Sequence, residues 1–153
     1  MMINEADQKV IRQLFDERLT APVQIDFFTR SKSALILPGA RDEDDCPTCA
    51  LTGELLGEVA TLSERIALVT HDLRTDPAAG EPFGVDRTPA FVLSGAARGR
   101  VRGFGIPSGY EFSGLIADLI DVATGTTGLT PETRAGLATL TKPLHLQVYV
   151  TPT

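Results

Sequence analysis

The spacing of apolar residues predicts a helix followed by a strand in the first thirty positions. Residues 4–19 repeat apolar side chains every three or four positions, as one face of a helix does, and Asn4 suits the N-cap. After Pro22, residues 23–29 (VQIDFFT) form the short apolar run that is typical of a strand. The predicted helix face consists of Val10, Ile11, Leu14 and Phe15.

The middle of the chain predicts a second helix and three more strands. Residues 30–45 form a connection longer than most, and a helix is predicted to begin at the cysteines, with Pro47 in its first turn. Residues 65–73 are typical of a buried strand, and residues 89–95 and 99–106 predict a hairpin around a glycine-containing turn. The apolar stripe of the second helix consists of Leu51, Leu55, Val59 and Leu62.

The last third of the chain predicts two helices and a strand. Residues 108–125 predict a helix that begins with a capping box of Ser108 and Glu111. Residues 129–140 predict a shorter helix, and residues 143–153 alternate apolar and polar side chains as a strand does.

This order of elements predicts an α/β fold built on one four-stranded mixed sheet with helices on both faces. An extra C-terminal helix, capped by Thr130, and an extra strand would follow the sheet. Residues 1–128 are expected to form the domain, including its N-terminal helix, and residues 129–153 a C-terminal extension.

Composition and charge narrow the possible functions. With 153 residues, 42% of them hydrophobic, the chain fits one globular domain, and its net charge of -6 argues against nucleic acid as the main partner. No signal-like N-terminus and no apolar stretch near the ~20 residues of a membrane span are present, so we expect a cytoplasmic protein without membrane association. Arg98, Arg100 and Arg102 alternate along one predicted strand and are expected to protect a sheet edge.

The only two cysteines, Cys46 and Cys49, are three positions apart at the predicted start of a helix. The helix N-terminus stabilises a nearby thiolate, so we expect Cys46 to be the exposed attacking thiolate and Cys49 the resolving thiol. Zinc held with His71 and His145 offers a poor ligand set within one chain, although a site shared by two chains stays open. Inert buried cysteines at a chance spacing are the remaining alternative.

Two acidic features bear on this chemistry. The run of carboxylates before Cys46 would disfavour its thiolate by roughly 0.5–2 kcal/mol each at ~6–8 Å, against roughly 0.3–1 kcal/mol gained from the helix terminus. We therefore predict a moderate or reducing couple, unless the run is solvated far from the sulfur. Asp26 is predicted to point outward or lie at a strand end; the alternative is a proton relay to Cys49. The run comprises Asp42, Glu43, Asp44 and Asp45.

Several motifs together resemble the N-terminal thioredoxin-fold unit of the glutaredoxin-like protein disulfide oxidoreductases. They are CPTC, VDRTPAF, GFGIPSGYEF leading into IADLIDV, GLTPET, and LHLQVYVTPT, which is similar to the first strand of the family's second unit. The resemblance implies a thioredoxin-like fold, with Cys46 and Cys49 as the active cysteines. It also implies a cis Thr88–Pro89 bond facing them, with substrate backbone pairing at Thr88. Pro47 and Thr48, between the cysteines, complete the expected substrate contacts.

The resemblance implies thiol–disulfide exchange with protein disulfides, recycled by a reductase or dithiol. No flavin or nicotinamide fingerprint is present, so no cofactor is expected. The sequence ends at Thr153, before the family's second Cys-x-x-Cys, so simple exchange is expected rather than isomerase activity; whether the chain is naturally one-site or truncated stays open. The long loop 31–45 is expected to cover the cysteines and narrow the substrate range. The unpaired last strand predicts a possible homodimer.

Other functions stay open at this point. A dedicated electron relay for one partner, such as a peroxidase, would resemble the N-terminal segment of the alkyl hydroperoxide reductase flavoprotein. A non-catalytic binding module with a decayed redox site belongs to a different class. Glutathione-dependent activity is less favoured, although Arg87 beside the proline loop could bind a carboxylate.

Overall fold

Four strands and four α-helices form the part of the chain that the structure, a computed structural model, describes, namely residues 1–32 and 46–149. A 3-10 helix, which the sequence patterns did not predict, lies between the second and third strands. In chain order the elements are α1 Glu5–Arg18, β1 Val23–Thr29, α2 Cys49–Ala60, β2 Ile66–Asp72, the 3-10 helix Pro77–Phe83, β3 Ala90–Ser94, β4 Val101–Phe104, α3 Tyr110–Thr124 and α4 Pro131–Ala138.

The strands form a single mixed sheet in the order β2-β1-β3-β4. Strand β1 runs parallel to β2 and antiparallel to β3, and β3 and β4 form the predicted antiparallel hairpin. The predicted α/β architecture with a four-stranded mixed sheet is therefore confirmed. Strand β4, which carries Arg102, lies at one edge of the sheet. The prediction that three arginines alternate along this strand is wrong, because β4 begins at Val101, after Arg98 and Arg100.

The two faces of the sheet are covered differently. On one, the helical face, Ile25 and Phe27 of β1 join a cluster of buried side chains from α1, α2 and α3. On the other, the 3-10 face, Phe28 packs with Val92 and with Phe83 of the 3-10 helix. Neighbouring residues of a strand point to opposite faces, which is why Phe27 and Phe28 serve different layers.

Local capping signals are partly confirmed. The Asn4 side chain accepts a hydrogen bond from the Asp7 N–H at 2.9 Å, and Thr130 caps α4 through the Thr133 N–H at 3.3 Å. The predicted capping box of Ser108 and Glu111 is wrong. Helix α3 begins at Tyr110, and its N-cap is Gly109, which makes no side-chain cap bond. The φ of 60° at Gly109 is a conformation that residues with a side chain rarely adopt.

Several predicted burial patterns are also wrong. Strand β2 was expected to be buried, but only Ile66 of its residues is, because β2 forms the other edge of the sheet. Val10 is 66% exposed and Leu51 is 47% exposed, so neither belongs to the buried side of its helix. The buried side of α1 consists of Ile11 and Phe15, and that of α2 of Cys49, Thr52, Leu55, Leu56 and Val59.

The C-terminal extension buries none of its described residues. Helix α4 forms as predicted, but every residue from 125 to 149 is exposed. The strand predicted for residues 143–153 is wrong over 143–149, because none of the four described strands pairs with these residues. Residues 150–153 lie outside the described residues.

Candidate active site

Cys46 and Cys49 form a disulfide, with their Cα atoms 5.4 Å apart. Helix α2 begins at Cys49 rather than at Cys46, and Thr48 is its N-cap. Pro47 therefore lies in a turn before the helix, whereas the sequence predicted it in the first helical turn. The pair sits where the free N–H groups of a helix N-terminus are available, which is a setting that favours a thiolate.

The disulfide lies at the end of the sheet where β1 finishes. One turn into α2, a Cβ atom built on Gly53 would stand 3.0 Å from the Phe27 ring, so α2 passes close to the last part of β1. Phe28 pairs with Ala90, the first residue of β3, at this same end. Thr88–Pro89 comes just before Ala90, and its peptide bond is cis, as the resemblance implied. The topology thus brings the cysteine turn and the proline loop to one end of the sheet.

The cysteines are less accessible than expected. Cys46 is 8% exposed and Cys49 is 4% exposed, so the prediction of an exposed Cys46 is wrong for the disulfide form. Pro47 is exposed and Thr48 is half-buried. Of the four residues of the cysteine turn, Pro47 is therefore the most exposed.

A buried threonine that the sequence patterns missed supports this turn. The Thr52 side chain is fully buried, and its Oγ1 donates a 2.8 Å hydrogen bond to the Thr48 carbonyl oxygen. The Thr52 N–H donates to the same oxygen at 2.9 Å. These bonds fix the backbone between the cysteines. The sequence feature that could have identified Thr52 is its position on the apolar side of α2, where a buried hydroxyl needs a hydrogen-bond partner.

Asp26 is buried in the middle of β1 on the 3-10 face, at 1% exposure. The prediction that Asp26 points outward or lies at a strand end is therefore wrong. Its carboxylate accepts hydrogen bonds from Gln24 Nε2 at 2.9 Å, and His71 Nε2 lies 2.8 Å from Oδ1. The His71 ring stacks on Phe28 with centroids 4.8 Å apart. The relay role for Asp26 stays a prediction.

Two carboxylates anchor backbone that lies outside the helices and strands. Glu58 of α2 accepts the N–H groups of Met2 at 2.6 Å and Ile3 at 2.9 Å, and the Ile3 bond is the main reason the pKa of Glu58 is lowered. Asp72, at the end of β2, accepts the Ser31 N–H at 3.1 Å. Hydrogen bonding by the Ser31 side chain is the largest cause of its lowered pKa.

The described residues contain no group of three or more His, Cys, Asp or Glu side chains that could hold a metal ion. His71 lies against Asp26, and His145 lies in the exposed tail. The acidic run Asp42–Asp45 and most of the loop 31–45 lie outside the described residues, so their effect on Cys46 stays a prediction. None of the helices over the described ranges has both the length and the apolar character of a membrane span.

Solved structures match this arrangement over 92% of the chain. A protein disulfide oxidoreductase from Aeropyrum pernix matches with a TM-score of 0.70 and 23% identity. The alkylhydroperoxide reductase component AhpF from Enterococcus faecalis matches with a TM-score of 0.70 and 25% identity. The fold is thioredoxin-like. A separate structure of the N-terminal domain of AhpF matches with a TM-score of 0.67 and 23% identity.

The thioredoxin-like chain spans 56% of the Aeropyrum pernix protein and 62% of each Enterococcus faecalis chain. A scan against protein-family models and a search of curated proteins found no match. The likeness therefore supports the predicted glutaredoxin-like, thioredoxin-fold unit at the level of fold.

Proposed function

We propose that the chain is a thiol–disulfide oxidoreductase that exchanges its Cys46–Cys49 pair with the disulfides of other proteins. The observation that carries the proposal is a Cys46–Cys49 disulfide before a helix, at the same end of the sheet as the cis Thr88–Pro89 bond. The structural neighbours, a protein disulfide oxidoreductase and an alkylhydroperoxide reductase component, support this class of chemistry.

In the reduced form the Cys46 thiolate attacks one sulfur of the substrate disulfide. The substrate's other sulfur leaves as a thiolate, and a mixed disulfide forms at Cys46. The Cys49 thiolate then attacks Cys46 Sγ, which releases the second substrate thiolate and closes the Cys46–Cys49 disulfide. Two electrons pass to the substrate, whose thiolates take up the two protons released by the cysteines. An external dithiol or reductase supplies the electrons for the next cycle.

We assign substrate contacts to the two segments beside the disulfide. Thr88 would pair with the substrate backbone, and Pro89 would shape the loop that offers it. Pro47 and Thr48 would form the surface over which the substrate approaches, since Pro47 is exposed and the Thr48 carbonyl is held by Thr52. An extended substrate that pairs with a loop backbone gains affinity without sequence-specific contacts.

A redox titration in dithiothreitol buffers, with alkylation and intact mass to count free thiols, tests the proposal. We expect a single two-electron transition with a midpoint near or below the thioredoxin value of about -270 mV. Cys46→Ser should abolish exchange, and Cys49→Ser should accumulate the mixed disulfide. Thiols that never pair, or partner binding that survives alkylation of both thiols unchanged, would favour a binding module instead.

A dedicated electron relay is the second candidate. It is favoured by the 25% identity to the alkylhydroperoxide reductase component over 92% of this chain. The two candidates differ in the range of substrates. Reduction of several unrelated protein disulfides at similar rates would support the general oxidoreductase, whereas rapid exchange with one peroxidase alone would support the relay.

We also propose that the C-terminal tail mediates a homodimer. Its apolar residues Leu144, Leu146 and Val148 are 62%, 78% and 84% exposed, and they recur at every second position of the sequence. Sedimentation of the full chain and of a version that ends at Thr141 tests this, because no residue of the removed tail is buried in the described part of the chain. A dimer that persists without the tail would contradict the proposal.

A further inference from the structure

The loop that carries Thr88 and Pro89 is tied to strand β4 at three points. It begins at Gly84, which ends the 3-10 helix, and leads into β3 at Ala90. At the start of the loop, Arg102 Nη1 of β4 donates to the carbonyl oxygens of Phe83 at 2.9 Å and Gly84 at 2.8 Å. These charge-assisted bonds are stronger than bonds between neutral groups.

The middle and the end of the loop contact the same strand region. The Arg87 guanidinium lies 4.5 Å from the centroid of the Phe104 ring. The Gly105 N–H, directly after β4, donates to the Pro89 carbonyl oxygen at 2.9 Å. The loop therefore follows any displacement of β4, and the Arg102 side chain is its hydrogen-bonded anchor at the first residue.

The approach of Arg102 depends on a glycine. Gly84 has a φ of 65°, and a Cβ atom built there would collide with Arg102 Nη1. Arg100 adds a weaker contact, with both terminal nitrogens 3.4 Å from the Pro82 carbonyl oxygen. The backbone of Arg102 is itself fixed, because it pairs with Val92 in the hairpin. Arg100 and Arg102 thus also hold the end of the 3-10 helix and the start of the loop in place.

From this geometry we infer that Arg102 is a positioning residue for polypeptide substrates. The inference rests on the proposed function, in which substrate backbone pairs at Thr88. A small disulfide needs only Cys46, whereas a polypeptide also needs the loop in place. Loss of the Arg102 bonds should therefore slow exchange with polypeptides and spare exchange with small molecules, which a general loss of stability would not do.

The test compares the full-length variants Arg102→Ala and Arg102→Lys with the wild type. The control is Arg98→Ala, which removes an exposed arginine of the same hairpin that makes no hydrogen bond to residues 82–84 in the described structure. Second-order rates are measured for oxidation of the dithiol by insulin and by hydroxyethyl disulfide. For Arg102→Ala we expect the insulin rate to fall about tenfold, as loss of a charged hydrogen bond would allow. The rate with hydroxyethyl disulfide should stay within about twofold of the wild-type rate. The midpoint potential should not change.

Arg102→Lys should recover part of the insulin rate, because an ammonium can donate to the same carbonyls without the fork geometry of a guanidinium. Gly84→Ala adds a methyl group that would displace the Arg102 guanidinium, so it should show the same selective loss of the insulin rate. This variant replaces Arg102→Ala if Arg102→Ala does not fold. Equal losses for both disulfides, or no loss for insulin, would overturn the inference. A wild-type protein that reduces hydroxyethyl disulfide but not insulin would also overturn the inference, while leaving thiol–disulfide exchange as the function. A wild type inert to both would overturn the proposed function and this inference with it.

Discussion

The two faces of the sheet differ in how they are stabilised: one mainly by apolar burial, the other by polar contacts as well. Among the described residues, twenty apolar side chains form the buried cluster between the sheet and three α-helices on the helical face, whereas five form the buried cluster of the 3-10 face. The 3-10 face holds polar groups instead: the Asp26 carboxylate with Gln24 and His71, and the Arg102 bonds to the loop. Apolar burial stabilises without direction, while hydrogen bonds hold groups in a defined orientation. We conclude that stability comes mostly from the helical face, and loop geometry from the 3-10 face.

The largest effects should come from adjacent phenylalanines on opposite faces. Phe27→Ala empties a site against α2 and should cost about 3–5 kcal/mol of unfolding free energy. Phe28→Ala should cost less, about 3 kcal/mol, because the short 3-10 helix can settle into the space. Urea unfolding measures both.

The exposed Val10 provides the control, since Val10→Ala should change the unfolding free energy by less than about 0.5 kcal/mol. The two phenylalanine variants should rank the other way in activity: Phe28→Ala should exchange with polypeptides more slowly than Phe27→Ala. If Phe28→Ala were the more destabilising of the two, the division of roles between the faces would not hold.

The polar network of the 3-10 face should show strong coupling. In a double-mutant cycle of Asp26→Asn and His71→Gln, we expect a coupling free energy of about 0.5–3 kcal/mol, because the two side chains share a short buried contact. Urea unfolding of the four proteins gives the value. Additive effects would mean that the pair does not act as a unit, and that Gln24 satisfies Asp26 alone.

The tie between the N-terminus and α2 should be sensitive to acid. The pKa of Glu58 is lowered in the folded protein, so its contribution to stability is present above its ordinary value of 4.5 and is lost as the pH falls through the folded pKa. We expect Glu58→Gln to lower the Tm at pH 7 and the difference to shrink in acid. Glu64→Gln, at an exposed position, is the matched control. A Tm difference that does not change with pH would exclude this role.

The smallest effect should come from a poorly placed charge on α3. Burial, and secondly the neighbouring Asp121, raise the pKa of Asp118. A raised pKa means that the folded state binds the proton more tightly, so the ionised carboxylate costs stability at pH 7 and less as the pH falls. Asp118→Asn should raise the Tm at pH 7 by up to about 2 °C, since the group is partly solvated. The control is Asp16→Asn, on the exposed side of α1, which should leave the Tm unchanged.

Features that depend on near neighbours in the chain were predictable. Short apolar runs located the four sheet strands, and the period of three to four located the main helices. The caps at Asn4 and Thr130 were right, and the hairpin followed from its turn. The two cysteines and the proline loop were found as motifs. In each case the physical cause, a cap bond, an alternating face or a turn, acts over fewer than about ten residues.

Features that depend on contacts between distant segments were not predictable. Whether β2 is buried depends on its place at the sheet edge. Whether residues 143–149 form a strand depends on a pairing partner, and none of the described strands is one. Asp26 is buried because His71, forty-five positions later, closes over it, and Arg102 reaches Gly84 across eighteen positions. The local pattern specifies which segments are helices and strands. Their packing specifies which side chains meet, because burial and hydrogen bonding are properties of the assembled fold.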